Sequence, residues 1–232
     1  MERYAVGKII NRVREISRWH IECRLLRMML RPEYTGRVTQ QGNWVIPEDI
    51  LSPSAICYCA GVGEDIDFEL MLIERFGTYV YAFDPTPRAI EHVNKVASKI
   101  DKFRFLPVGI WSSDETLRFY APENPTHVSH SVVDSNPNRP YFDAHCKKIS
   151  TLMSELGHDN IDLLKMNIEG AEYEVLQSLV NDKLYPRVIC LTFEGRSALV
   201  QAVQWCKKLR SRGYELAGLC QWAGTFVHKS TL

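Results

Sequence analysis

Short apolar runs alternate with longer amphipathic stretches from Ile50 to the end of the chain. Five runs are rich in β-branched and aromatic residues and are predicted as strands: Ala55–Ala60, Thr78–Phe83, Phe103–Val108, Ile161–Met166 and Arg187–Phe193. Segments with helical spacing separate several of them: Asp65–Phe76, Pro87–Lys99, Ala171–Asp182 and Ser197–Arg212. Because near-continuous apolar strands that alternate with helices form a parallel sheet covered on both faces, we predict an α/β, Rossmann-like fold.

The C-terminal part of the chain breaks this alternation. Tyr214–Gln221 and Gly224–His228 are predicted as two strands joined by a tight turn, with no helix between them. A mostly parallel sheet that ends in an antiparallel hairpin is typical of class I methyltransferases, and dinucleotide-binding domains usually lack the hairpin. The region Thr116–Ser150 contains four prolines and is expected to be mostly irregular. So long an irregular stretch in a compact domain is usually functional.

The first 31 residues differ in charge from the rest, with eight Lys/Arg against three acids. Their apolar positions follow a three-and-four spacing that predicts one amphipathic helix or two joined helices: Val6, Ile9, Val13, Ile16, Cys23, Leu26 and Leu30. Three roles are open: packing on the main domain or on a second subunit as a homodimer contact, a lid over a substrate site, or a membrane-surface helix. We therefore divide the chain into an N-terminal helical segment, 1–42, and a main domain, 43–232.

Composition narrows the class of protein. The 232 residues fit one large domain, and 28 Lys+Arg balance 28 Asp+Glu, so no overall field attracts nucleic acid. No apolar stretch approaches the ~20 residues that span a bilayer, so we expect no stable membrane insertion. The seven cysteines form no CxxC pair, which favours a reducing, cytoplasmic location. Cys57 and Cys59 alternate on one face of the first strand, where packing explains them better than metal binding, and we predict no metal site.

The turn after the first strand points to a nucleotide-like cofactor. Gly61 and Gly63 allow a sharp turn and a close approach to a ligand. A dinucleotide fingerprint would place bare backbone N–H groups against pyrophosphate, but Glu64 and Asp65 follow the turn, and a carboxylate beside a phosphate costs roughly 1 kcal/mol in water at 4 Å. S-adenosylmethionine has no phosphate and carries a sulfonium and an ammonium. The turn therefore favours S-adenosylmethionine, bound by Ala60, Gly61, Gly63 and Asp65.

Two further strand ends carry candidate cofactor contacts. Asp84 lies at the end of the second strand, 21 residues beyond Gly63, where a carboxylate can accept hydrogen bonds from ribose hydroxyls. Its alternative role is a helix N-cap, with Pro85 directly after it. After the third strand, Gly109 and Ile110 offer backbone and an apolar wall for an adenine ring.

Candidate reactive residues lie at the other side of the predicted crevice. Asn167 and Glu169 follow the fourth strand and could hold the acceptor or the methionine ammonium, although Glu169 could instead cap the following helix. His127 and His130 lie in the long proline-rich region and suit general-base or substrate-orienting work, with a structural role as the alternative. Glu194 closes the fifth strand as a further polar group at the rim.

Taken in order, the motifs "GVGEDI", "FDPTP", "ENPTHVSHS" and "LLKMNIEGAEYEVL" resemble the FkbM family of S-adenosylmethionine-dependent methyltransferases over about residues 43–228. The "IEGAE" segment after an apolar strand is the most specific mark. The resemblance implies a seven-stranded class I fold with helices on both faces, and methyl transfer, commonly to a hydroxyl of a small-molecule acceptor. It also implies that Gly61, Gly63 and Asp84 hold the cofactor and that Asn167 and Glu169 line the reaction site.

The chain departs from the family pattern at three positions. Family members usually carry Asp at the Asn167 position, and many have an acid at the Cys59 position and a third glycine at the Asp65 position. An asparagine side chain cannot accept a proton as a general base, so deprotonation would fall to His127, His130 or Glu169.

Two other functions stay open. The Asn167 substitution allows a cofactor-binding protein of the same fold without methyl transfer, and Asp84 also suits an NAD-dependent oxidoreductase. Nucleic acid is not expected as acceptor, because the fourth strand ends in "NIEG" and not in an aromatic-containing Asn/Asp-Pro-Pro motif. The identity of the acceptor is not encoded in any of these motifs.

Overall fold

A computed structural model describes residues 19–97, 99–121, 139–194 and 197–231. The helices are α1 (residues 19–29), α2 (Asp67–Phe76), α3 (Pro87–Val96), α4 (Ile149–Leu156), α5 (Glu172–Asp182) and α6 (Ala198–Arg210). The strands are β1 (Val38–Gln41), β2 (Trp44–Pro47), β3 (Ile56–Ala60), β4 (Tyr79–Phe83), β5 (Phe103–Leu106), β6 (Gly109–Ile110), β7 (Glu115–Tyr120), β8 (Tyr141–Lys147), β9 (Leu163–Met166), β10 (Val188–Thr192), β11 (Tyr214–Cys220) and β12 (Ala223–His228).

The main sheet has seven strands in the order β11-β12-β10-β9-β3-β4-β5. The five strands from β10 to β5 run parallel, whereas β12 pairs antiparallel with both β10 and β11. The predicted parallel sheet with a terminal antiparallel hairpin is therefore confirmed. Strand order reverses beside β3, whose neighbours are β9 on one side and β4 on the other.

Local chemistry sets several of the helix ends. Pro87 occupies the first turn of α3, where its missing N–H costs nothing. Gly77 ends α2 and Gly157 ends α4, each with a left-handed backbone that glycine adopts without strain. All four predicted helices occur, with ends that differ from the prediction by no more than three residues. The helix α4 was not predicted.

The core forms two apolar layers, one on each face of the sheet. Tyr58, Phe83 and Leu164 pack with residues of α1, α4, α5 and α6 on one face. Cys57 and Cys59 are fully buried on the other face, together with residues of α2 and α3. The predicted packing role of these two cysteines is confirmed, and their burial raises the pKa of both thiols.

The segment that was expected to be mostly irregular has ordered ends. Strands β7 and β8 pair antiparallel, and β6 joins β8 in a separate three-stranded sheet. The prediction of irregular structure was wrong for 116–120 and 141–147, because most residues of these two strands are exposed or half-buried and lack the continuous apolar run of the central strands. Residues 122–138 lie outside the described ranges.

The N-terminal segment packs on the main domain where it is described. Leu26 and Leu30 of α1 are buried in the core, and the backbone N–H groups of Glu33 and Tyr34 donate to the Leu216 carbonyl in β11. This agrees with packing against the main domain, one of the three predicted roles. The homodimer contact and the division at residue 42 stay predictions. Among the described helices, none combines the length and the apolar character needed to cross a bilayer.

Candidate functional site

A cleft of about 1050 Å³ opens at the carboxyl ends of the central strands. Residues that follow β3, β4, β9 and β10 line it: Gly61–Asp65, Asp84–Thr86, Asn167–Glu169 and Phe193–Glu194. Ligands of open α/β sheets bind at this edge, where the strand order reverses. The fold therefore brings together the four strand ends that the sequence singled out.

The two glycines of the turn have different roles. A Cβ on Gly61 would lie 1.9 Å from the Asn167 carbonyl oxygen, so the β3 turn packs directly on the end of β9. A Cβ on Gly63 would meet no atom within 4 Å among the described residues. Both glycines have positive φ, 74° and 55°, which side chains rarely adopt. Gly61 is thus required for packing, and Gly63 leaves space in the cleft.

Asp84 joins the glycine turn to the start of α3. Its Oδ2 accepts a hydrogen bond from the Gly63 N–H at 2.9 Å. Its Oδ1 accepts hydrogen bonds from the Thr86 N–H at 2.8 Å and the Thr86 hydroxyl at 2.6 Å. The carboxylate lines the cleft and still has lone pairs for a ligand hydroxyl. The N-cap of α3 is Thr86, so the alternative N-cap role of Asp84 is wrong, and Asp84 instead holds the turn that precedes the helix. Its ribose role stays a prediction.

The acids that follow the glycines also have local partners. Glu64 forms an ion pair with Arg88 at 2.6 Å, and Asp65 Oδ1 accepts a hydrogen bond from the Asp67 N–H at 3.0 Å. Asp65 therefore helps to begin α2 while it lines the cleft.

Of the remaining predicted cofactor residues, three line the cleft and one does not. Pro85, Gly109 and Ile110 line the cleft, and a Cβ on Gly109 would lie 2.5 Å from Cys146 Sγ. Ala60 does not line it: the residue is buried, and its carbonyl accepts a hydrogen bond from the Asn167 N–H at 3.0 Å. The contribution of Ala60 is thus to hold β3 against β9.

The turn after β9 is organised by the second glutamate of the "IEGAE" segment. Glu172 Oε1 accepts a hydrogen bond from the Ile168 N–H at 2.7 Å, and Oε2 accepts one from the Gly170 N–H at 2.8 Å. The Thr192 hydroxyl lies 3.0 Å from Glu172 Oε1 and 3.0 Å from Asn167 Oδ1 and donates to these oxygens. Burial raises the pKa of Glu172, and the backbone hydrogen bonds oppose that shift. Glu172 and Thr192 together fix the orientation of the Asn167 side chain.

Glu169 has a left-handed backbone, with φ of 56°, which is uncommon for a residue with a side chain. Such strain persists where the surrounding structure enforces it, and it concentrates at functional sites. The hydrogen bonds of Glu172 on either side of Glu169 enforce it here. Glu169 lines the cleft, as the sequence predicted.

Glu194 faces Glu169 across the cleft end of β10. Burial raises the pKa of Glu194 to about 8, and the charges of Glu169 and Glu172 and a hydrogen bond with Glu169 add to the shift. The Tyr173 hydroxyl holds the Glu194 backbone, since it accepts from the Glu194 N–H at 3.1 Å and donates to the Glu194 carbonyl at 3.2 Å. The carboxyl groups of Glu169 and Glu194 therefore lie beside each other in the cleft wall, and the pKa of Glu194 is raised to about 8.

A buried ion pair that sequence reasoning missed lies beneath the glycine turn. Lys165 of β9 donates from Nζ to the Gly61 carbonyl at 2.8 Å and lies 3.4 Å from Glu69 Oε1 of α2. Both residues are buried and both line the cleft. A lysine inside the apolar run "LLKM" was the available signal, because an unpaired charge is too costly to bury. Its partner could not be found from the sequence.

His127 and His130 lie outside the described residues, so their predicted roles stay predictions. Over the ranges that the structure describes, no group of three or more His, Cys, Asp or Glu side chains is arranged to hold a metal ion.

The strand order, the antiparallel hairpin and the cleft at the glycine turn define the fold as that of the class I methyltransferases. The family model of the methyltransferase FkbM domain matches residues 58–216, and the chain belongs to that family. The resemblance seen in the sequence motifs is therefore confirmed.

The chain is also similar to one curated protein and to solved structures. A rat (Rattus norvegicus) protein, probable methyltransferase-like protein 24, is 27% identical over 138 residues, which cover 59% of this chain and 31% of that protein. The chain thus spans about a third of the length of this relative. An rRNA methylase from Streptococcus thermophilus has a TM-score of 0.45 and 12% identity, and covers 78% of this chain and 90% of its own. Fibrillarin from Aeropyrum pernix, solved with S-adenosylmethionine, has a TM-score of 0.45 and 9% identity, with coverages of 78% and 68%.

Proposed function

We propose that the chain transfers a methyl group from S-adenosylmethionine to a hydroxyl of a small-molecule acceptor. The observation that carries this proposal is the charge of the cleft. Among the described residues that line it, one is basic, Lys165, and eight are acidic: Glu22, Glu64, Asp65, Asp67, Glu69, Asp84, Glu169 and Glu194.

This lining fits S-adenosylmethionine better than a dinucleotide. The cofactor carries a sulfonium and an ammonium and has no phosphate, whereas NAD would bring two phosphates into a field of carboxylates. Opposed unit charges at 4 Å are worth about 1 kcal/mol in water and several times more in a sheltered cleft. The open space above Gly63 also suits a ligand that approaches the backbone.

Residues after three strands, β3, β4 and β5, would contact the cofactor. Asp84 would accept hydrogen bonds from the ribose hydroxyls, beside the Gly63 N–H that it already holds. Pro85 and Ile110 would form the apolar wall for the adenine ring, next to the backbone of Gly109. Each of these residues lies in the cleft as a consequence of the strand order.

When bound, the cofactor supplies a methyl group that is already activated by the sulfonium. The protein then has to align the acceptor oxygen and exclude water, and orientation alone is worth on the order of 7–11 kcal/mol in the best intramolecular models. In the balanced step the acceptor O–CH₃ bond would form as the S–CH₃ bond breaks, and the hydroxyl proton would pass to the ionised carboxylate of Glu194, which lies in hydrogen-bond contact with Glu169. The raised pKa makes Glu194 the stronger base once it is ionised, so this role uses the ionised fraction of Glu194, which grows as the pH rises towards about 8.

Asn167 has a positioning role in this scheme. Its carboxamide cannot accept the proton as a base, and its Oδ1 is held by the Thr192 hydroxyl. The amide nitrogen can donate a hydrogen bond to the acceptor or to the methionine carboxylate. His127 and His130 remain sequence-based candidates for orienting the acceptor.

The same acidity argues against nucleic acid as acceptor, although one compared structure is an rRNA methylase by name. A phosphate backbone that entered this cleft would meet the carboxylates before reaching Glu169. A basic surface that tracks phosphates is what nucleic-acid enzymes need, and the cleft offers the opposite charge.

Calorimetric titration of S-adenosylmethionine, S-adenosylhomocysteine and NAD into the purified chain tests the proposal. We expect micromolar binding of the first two and no heat from NAD. Binding of NAD alone would overturn it in favour of an oxidoreductase. A protein that binds S-adenosylmethionine but forms no S-adenosylhomocysteine with any hydroxylated acceptor would instead support the second candidate, a binding protein without transfer, which Asn167 motivates.

A further inference from the structure

The helix α1 has two apolar faces, and one of them lies against the main domain while the other is exposed. Cys23 and Leu26 are 8% and 0% exposed, and Leu26 packs in the core. The opposite face carries four large apolar side chains that are 41–67% exposed: Ile21, Leu25, Met28 and Met29. A surface helix normally has a single apolar stripe, so the second stripe indicates an interaction site.

The two flanks of the exposed stripe differ in charge. At about 100° per residue, Arg24 and Arg27 lie on one flank and Glu22 lies on the other. Arg31 follows shortly after the end of the helix. In the described part of the chain these three arginines are exposed and form no salt bridge. The exposed stripe and the flank with Arg24 and Arg27 together form what we name the α1 surface.

Charge is distributed unevenly between this end of the chain and the rest. The first 31 residues contain eight Lys/Arg and three acids, a net charge of +5. Because the whole chain is neutral, residues 32–232 carry a net charge of −5. An anionic surface therefore attracts the end of the molecule that carries α1 and repels the remainder, which orients the molecule.

The size of the α1 surface favours a lipid bilayer over a second copy of the chain. A stable protein interface takes about 20–30 residues from each partner, whereas the α1 surface offers six. A bilayer accepts a single amphipathic helix, whose apolar face enters the boundary between headgroups and acyl chains while its basic residues contact anionic lipids. A short apolar stripe gives weak, reversible binding by itself, so the adjacent arginines supply the second contribution that such binding needs.

We propose that the α1 surface binds reversibly to an anionic lipid bilayer. The apolar stripe enters the headgroup region, and Arg24 and Arg27 contact the anionic headgroups. Trp19 and Glu22 of the same helix line the cleft, so a bilayer at the α1 surface lies beside the mouth of the cleft. The binding needs neither cofactor nor acceptor, so it can be tested independently of methyl transfer.

Co-sedimentation of the full chain with lipid vesicles tests this proposal. One set of vesicles contains phosphatidylcholine alone, and the other also contains about 30% phosphatidylserine. We expect the wild type to bind the anionic vesicles at least about tenfold more strongly than the neutral ones. This binding should weaken as the NaCl concentration rises from about 0.1 M to about 1 M, because salt screens the arginines.

Two double variants separate the apolar contribution from the electrostatic one. Ile21→Gln/Met28→Gln and Arg24→Gln/Arg27→Gln should each lower the partition coefficient for anionic vesicles about tenfold or more. All four positions are exposed and glutamine is a good helix former, so the melting temperature should stay within about 2 °C of the wild type. If a double variant does not fold, Met28→Gln and Arg24→Gln alone replace it, each with an expected loss of about threefold or more.

The control variant changes one basic and one apolar residue on another helix. Lys95 and Val96 are exposed at the end of α3 and do not line the cleft. Lys95→Gln/Val96→Gln should therefore bind anionic vesicles as the wild type does.

Three results would overturn the proposal. The first is equal binding of the wild type to both kinds of vesicle, or binding to neither. The second is unchanged vesicle binding in the folded α1 variants. The third is another occupant without vesicle binding: a wild-type dimer that Ile21→Gln/Met28→Gln dissociates in analytical ultracentrifugation, or binding to poly-uridine RNA that Arg24→Gln/Arg27→Gln abolishes.

Discussion

Alanine substitutions at Gly61 and Gly63, in the turn after β3, distinguish a glycine that is needed for packing from one that leaves space for the ligand. In Gly61→Ala the new Cβ would lie 1.9 Å from the Asn167 carbonyl oxygen, a backbone atom that cannot move without shifting β9. Overpacking of about 1–3 kcal/mol and a left-handed backbone cost of about 1–2 kcal/mol add up to roughly 2–5 kcal/mol. We expect the melting temperature to fall by about 4–20 °C.

Gly63→Ala is the matched substitution, since its Cβ would meet no described atom within 4 Å. We expect a loss of about 1 kcal/mol, or about 2–4 °C, and an affinity for S-adenosylhomocysteine lowered about tenfold, because the new methyl projects into the cleft. Gly157→Ala, with φ of 71° and equally open space at the end of α4, controls for backbone strain and should leave the affinity unchanged. Differential scanning fluorimetry and calorimetry measure both effects. Equal melting temperatures for Gly61→Ala and Gly63→Ala would refute the packing argument.

Three other substitutions test the strand ends. Asp84→Ala should weaken S-adenosylhomocysteine about tenfold or more in calorimetry, and an unchanged dissociation constant would exclude its ribose role. In Glu172→Gln the amide NH₂ group, which is a donor, faces one of the two backbone N–H groups that Glu172 now accepts. The free energy of unfolding should therefore fall by about 2 kcal/mol and the melting temperature by about 4–8 °C. An unchanged melting temperature would contradict the role of Glu172 in the turn. The Glu194 pKa is raised from its ordinary 4.5 to about 8, so Glu194 stabilises the fold below its ordinary pKa, and this contribution is lost as pH rises through about 8. We therefore measure the free energy of unfolding of the wild type and of Glu194→Gln from about pH 5 to about pH 9. The difference between the two should shift in favour of the variant as the pH rises, by at most about 1.4 kcal/mol per pH unit. A difference that does not change with pH would contradict the raised pKa.

The sequence predicted the central sheet well because its strands are buried on both faces. Runs such as Ala55–Ala60 are apolar throughout, and such runs need partners on either side. Strands β7 and β8 escaped prediction because their burial alternates and the prolines between them favour an irregular reading. Short elements such as β6 carry too few residues for any pattern.

The residues of the candidate site could be predicted where a glycine or a carboxylate follows the end of an apolar strand. Gly61, Asp84 and Glu169 all come directly after apolar runs, and the strand order brings them to one edge. Glu69 could not be predicted, because its position inside α2 looks like any charged helical residue. Its pairing with Lys165 depends on how α2 packs over β9, which is a tertiary property. The acidity of the cleft likewise emerges only when residues from distant segments meet.

A crystal structure of the chain with S-adenosylhomocysteine tests the central claim most directly. We predict that the ribose hydroxyls contact Asp84, that the adenine ring lies against Pro85 and Ile110, and that the sulfur faces Glu169 and Glu194. A ligand bound outside the cleft, or one whose ribose lies away from Asp84, would contradict this prediction.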